Sequence, residues 1–114
     1  MQRNIKILVK EPEKEPYEKI IKNCYSQKQN IIGGKFGYTY LDGNNDIAIL
    51  YITNEQNKNI DPDSSINLKD INGTFIIVGD NDTGEDRSLT DEQIEKYKSY
   101  LELSRYKTNK EMSL

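Results

Sequence analysis

The stretch Asn72-Gly-Thr-Phe-Ile-Ile-Val-Gly-Asp-Asn-Asp-Thr-Gly-Glu-Asp-Arg-Ser-Leu-Thr-Asp-Glu-Gln-Ile-Glu-Lys-Tyr97 decides the fold. Its first part, Thr74–Val78, is apolar on both faces, with Phe75 and Ile77 set against Ile76 and Val78. A strand of that kind is central in a sheet and covered by a layer on each side. Its last part opens a helix. In Thr90-Asp-Glu-Gln93 the Thr90 hydroxyl accepts from the amide of Gln93, whose side chain reaches back to Thr90, a capping box. Leu89 and Ile94 bracket it as a hydrophobic staple, and Asp91 and Glu92 suit the positive end of the helix dipole. Ile94, Tyr97 and Leu101 then share one face, with Tyr100 and Leu103 beside it. A covered strand followed by an amphipathic helix calls for a sheet with that helix packed on it.

Working outward from this stretch, Asn4–Lys10 alternates as a strand with Ile5, Ile7 and Val9 on one face. Pro12 and Pro16 end it in a charged turn, and Tyr17–Ile21 returns as a second strand. Asn23 is the expected N-cap of a short helix over Cys24–Ile32, which Gly33-Gly34 terminates. Lys35–Leu41 reads as a strand with Phe36, Tyr38 and Tyr40 on one face. Asp42-Gly43-Asn44-Asn45 is a hairpin turn into Asp46–Thr53, again apolar on both faces. Asn54–Ile71 is polar and predicts a long loop. The sum is an α+β domain: a mostly antiparallel sheet of four to five strands, a C-terminal helix on one face and a short helix after the first strands. One domain over 1–106 and a polar tail over 107–114 account for the 114 residues.

Composition excludes several kinds of chemistry. There is no histidine, which removes Ser-His and Cys-His activation and every His-containing metal site. Cys24 is alone, so no internal disulfide or CxxC cluster exists, and it reads as a small buried residue in a reducing cytosol. A net charge of −3 from 16 basic and 19 acidic residues, well mixed, supplies neither the basic stripe of a nucleic-acid binder nor the acidic surface of a DNA mimic. No apolar h-region follows Met1 and no run approaches the roughly 18 apolar residues of a membrane span, which predicts a cytosolic protein without a membrane partner. With 34% hydrophobic residues the core is thin for the length, and burial against a second copy is the expected remedy.

Two places remain where chemistry could sit. The loop Asp80-Asn-Asp-Thr-Gly-Glu-Asp86 gathers carboxylates, but a calcium loop opening at Asp80 fails, because Gly84 and Glu85 stand where an oxygen ligand and a glycine are required. Asp80 and Asp82 could instead accept from ribose hydroxyls while Arg87 grips a phosphate in a fork. The plainer alternatives are a solvated turn and an Arg87 ion pair with a neighbouring carboxylate. The second place is the strand bearing Tyr38 and Tyr40. An aromatic strand face is ordinarily core, yet eight tyrosines against two phenylalanines and no tryptophan favour rings with a polar tip, suited to stacking a nucleobase or to a subunit contact. Nothing marks a carboxylate pair for acid–base work, so neither an enzyme, a metal nor a cofactor is expected.

Gly73–Asp80 and Arg87–Tyr97, together with Ile5-Lys-Ile-Leu-Val-Lys-Glu-Pro12, Gly33-Gly34 and Asp46-Ile-Ala-Ile49, resemble a family of small proteins known only as a domain of unknown function. Phages, plasmids and integrated elements of Gram-positive bacteria encode it. The segment Asn23–Asn30 is more polar here than the helix the family carries before its paired glycines. No catalytic residue carries over from the family. What the resemblance implies is a mobile-element setting, in which small proteins often counter host defence. The expectation is a homo-oligomeric sponge that sequesters a nucleotide-derived immune signal, such as a cyclic ADP-ribose isomer or a cyclic dinucleotide. The alternatives are an inhibitor that binds a host defence effector, in the manner of an anti-CRISPR protein, and a non-enzymatic phage accessory protein.

Overall fold

The computed structural model describes residues 3–41, 44–60, 68–80 and 85–112, apart from the side chains of 44–45, 69 and 103–112. Turn residues Asp42 and Gly43 and the candidate Asp82 lie outside them.

Among the described residues six strands form one antiparallel sheet. In chain order they are β1 (Asn4–Lys10), β2 (Tyr17–Lys22), β3 (Phe36–Leu41), β4 (Asn44–Ile52), β5 (Phe75–Asp80) and the two-residue β6 (Asp86–Arg87). Their spatial order is β2-β1-β5-β4-β3, with β6 paired to β5. Helix α1 (Tyr25–Ile32) follows β2, and helix α2 (Asp91–Met112) closes the chain. The class is the α+β arrangement that the hydrophobic patterning requires. Helix α2 continues to Met112, through most of the stretch 107–114 expected as a tail.

β5 is the spine, buried at all six positions as its two apolar faces demand. On one face Phe75 and Ile77 join Leu8, Ile47, Ile49 and Tyr51 beneath Leu89, Ile94, Tyr97 and Leu101 of the α2 segment. On the other, Ile76 and Val78 join Ile5, Ile7, Val9, Ala48 and Leu50 beneath Ile32 of α1. The capping box is present in both directions: Gln93 N donates to Thr90 Oγ1 at 3.1 Å, and Thr90 N donates to Gln93 Oε1 at 2.8 Å. Leu89 and Ile94 are both buried, as a staple requires.

Three local features depart from expectation. The N-cap of α1 is Cys24, with no side-chain capping bond; Asn23 stands one residue earlier and spends its amide elsewhere. Cys24 is half-buried, so it is no core residue. The end of the helix is as expected, with Gly33 at φ 95° closing on the Gln29 carbonyl. The long loop is tied by buried Asn57, which donates to the carbonyls of Ile52 and Asn72 and accepts from the Asn72 amide, each at 2.9 Å. Every polar atom of that side chain is thereby used, which explains how the amide can be buried.

Candidate functional site

Period two along β3 turns Phe36, Tyr38 and Tyr40 to the α1 face of the sheet. Phe36 and Tyr40 pack partly against the core there. Tyr25, the first residue of α1, stacks on Phe36 with ring centroids 4.7 Å apart and planes 21° from parallel. Tyr38 meets Tyr40 edge to face at 6.1 Å and 86°. Tyr25 is 53% and Tyr38 61% exposed. Four rings thus form a strip along the last strand of the sheet, half of it wet. Both pair geometries are those that ring quadrupoles favour.

Beneath the strip lies a buried carboxylate. Asp80, at the end of β5, is 3% exposed, and its Oδ1 has no hydrogen-bond partner among the described residues. The Tyr40 phenol donates to the Asp80 carboxylate, and this bond, with burial and the carboxylate's charge, holds the phenol above its ordinary pKa. Oδ1 of Asp80 is shielded from solvent.

Beside it, Asp86 stands opposite Asp80 in the β5–β6 pair and therefore faces the same side. Lys28 of α1 is 8% exposed and reaches Asp86 Oδ2 at 2.5 Å and Asn23 Oδ1 at 2.7 Å. Asn23 Nδ2 in turn donates to the Asp86 carbonyl at 3.0 Å. Asn23 is thus committed to this cluster, which is why it caps nothing. Next to it, the Cys24 thiol is held below its ordinary pKa, first by a hydrogen bond with Ser26 and then by backbone amides, with Lys28 adding its charge.

Arg87 is elsewhere. It pairs with Gly79, whose side of β5 faces α2, and its guanidinium lies across that glycine. Nε donates to the Asp80 carbonyl at 3.0 Å, Nη1 to the Ser88 carbonyl at 3.2 Å and Nη2 to the Asp46 carbonyl at 3.5 Å. Among the described residues no carboxylate pairs with its guanidinium, and in place of the phosphate fork envisaged for it stands a clamp on three backbone oxygens. Asp80 and Arg87 are close in sequence but their side chains occupy opposite faces of the sheet.

Of the five candidates, then, Tyr38, Tyr40 and Asp80 come together, Arg87 does not, and Asp82 lies outside the described residues. Tyr25 and Lys28 belong with the first three and were not anticipated. For Lys28 a signal existed: a cation in the helical stripe it shares with Cys24, Ile31 and Ile32. For Tyr25 there was none, since its partner Phe36 lies beyond the glycine stop. Among the described residues no group of three or more Cys, Asp and Glu gathers as cation ligands do, and no helix is long and apolar enough to cross a membrane.

A family model described as a domain of unknown function, DUF3846, matches residues 5–102. No curated protein and no solved structure matches the chain.

Proposed function

The chain belongs to the DUF3846 family of domains of unknown function, and from that premise we propose that it is a non-enzymatic binding protein for a nucleotide-derived small molecule. The observation that carries this reading is the ring strip: Tyr25 and Tyr38 offer exposed faces, backed by Phe36 and by a Tyr40 that Asp80 holds in place. Planar ligands stack on such faces with about 1–3 kcal/mol per base. A phenol whose hydroxyl is already hydrogen-bonded loses little freedom on binding, which favours affinity. The role is sequestration of a signal such as a cyclic ADP-ribose isomer or a cyclic dinucleotide, in the mobile-element setting that the resemblance leads one to expect. Arg87 has no part in it, because its donors are committed to carbonyls on the other face.

Calorimetry of the pure protein against a panel of cyclic dinucleotides and cyclic ADP-ribose isomers tests this. Expected are binding to one class, release of the intact ligand on denaturation, and a loss of roughly tenfold or more in affinity for Tyr38→Ala. Ile20→Ala, on a distant strand, should bind as the parent does. No heat across the whole panel, or conversion of the ligand during incubation, would overturn the proposal.

A further inference from the structure

We propose that a second copy of this chain pairs antiparallel along the free edge of β3, joining the two ring strips into one surface. Thr53 N donates to the Lys35 carbonyl at 3.0 Å, which makes Lys35 and Thr53 a hydrogen-bonded pair at the mouth of the β3–β4 ladder. Alternation then directs the backbone groups of Gly37 and Thr39 toward β4 and those of Phe36, Tyr38 and Tyr40 outward. Among the described residues no backbone bond from another element reaches these three. They form an open row of donors and acceptors on a terminal strand.

The two edges of the sheet are treated differently. β2, at the far edge, carries Glu18, Lys19 and Lys22, the charges by which natural edges resist pairing. β3 reads Phe-Gly-Tyr-Thr-Tyr-Leu, with no charge, no proline and rings that favour strand pairing. A long uncharged edge is a template for another strand. The occupant that matches it without further assumption is itself, because antiparallel self-pairing is isologous and closes at two.

The register follows from the pattern. Only pairing even positions with even positions uses the outward groups, and only Tyr38 opposite its own copy pairs all three of them, with Phe36 opposite Tyr40 on either side. The twofold axis then stands normal to the sheet, so both sets of rings emerge on the same side. Each copy contributes Phe36, Tyr38 and Tyr40 to one surface centred on the two Tyr38 rings. The pairing stands on the edge alone; the use of the joined surface rests on the proposed binding function.

Sedimentation equilibrium over a range of concentrations should return twice the chain mass. In a Cys24→Ser background, Tyr38→Cys should oxidise to a covalent dimer, since paired Cα atoms at about 5.5 Å lie within disulfide reach. Ile20→Cys, 65% exposed on β2, should not. Tyr38→Lys, folded by circular dichroism, should weaken the dimer by roughly tenfold or more, because like charges would then face each other across the axis. A monomer at every concentration, or a dimer that cross-links through Ile20→Cys and not through Tyr38→Cys, overturns the pairing. A monomer that still binds nucleotide would sink the pairing and spare the binding function; a parent chain that is dimeric yet indifferent to the panel would do the reverse.

Discussion

Removing only the Tyr40 hydroxyl, in Tyr40→Phe, strips the Asp80 carboxylate of its phenol donor, while Oδ1 has no partner among the described residues. Leaving a buried acceptor unsatisfied costs about 1–3 kcal/mol, so urea unfolding at neutral pH should show a loss of that size. The pH dependence has a definite sign. Tyr40's pKa in the folded protein lies above the ordinary 10.0, chiefly because its proton bonds to Asp80, so the folded state binds that proton more tightly than the unfolded chain. The stabilisation is therefore whole below pH 10 and is lost as pH rises through the raised value. Tyr40→Phe should lose that part of the alkaline limb, as alkaline unfolding curves of parent and variant would reveal. An unchanged limb would mean that the phenol–carboxylate bond contributes nothing. Tyr40 and Asp80 were each legible as polar-tipped or acidic residues at strand positions. Their partnership was not, because it reaches across β4 and depends on the register of β3, β4 and β5.

At the scale of elements, local codes were the legible ones. The capped start of α2 and the glycine stop of α1 are set by residues within a turn of one another, and both are present where the sequence puts them. β6 was invisible: two residues, Asp86 and Arg87, carry no periodicity at all. It forms because the β1–β5 pairing stops at Leu8 and Ile77, leaving Gly79 and Asp80 an edge to pair. The contact is close. A Cβ on Gly79 would lie 2.9 Å from both Arg87 Cγ and the Ser88 carbonyl oxygen. Gly79→Ala should therefore cost about 1–3 kcal/mol, typical of overpacking, measured by thermal or urea unfolding. Adding Arg87→Ala should restore only part of it, because the Ser88 oxygen is backbone and cannot swing away. Full tolerance of Gly79→Ala would show that β6 is free to shift.

For the molecule as a whole, Lys28 fastens the small helical layer to the sheet: α1 and β6 meet through its bonds to Asp86 and Asn23. Lys28→Met keeps the bulk and removes the charge, abandoning a half-buried carboxylate. The expected cost is about 2–4 kcal/mol, toward the lower end for a broken buried pair because Asp86 keeps some contact with water. Lys28→Met with Asp86→Leu should recover much of that loss, since the desolvated charge goes with its partner. If the double variant is as unstable as the single one, the pair matters for more than charge.

Hydrophobic spacing, strand alternation and the capping box by themselves determined the α+β class, the covered spine at Phe75–Val78 and the helix that follows it, because each is a property of neighbours along the chain. Which polar side chains share a face was decided only in the tertiary structure. Strand pairing turned Asp80 toward Tyr40 and Arg87 away to the opposite side, although only seven peptide bonds separate Asp80 from Arg87, and it brought Tyr25 and Lys28 in from a helix. Alternation reverses a side chain's face at every residue, so proximity in sequence says little about convergence; the register of the sheet does.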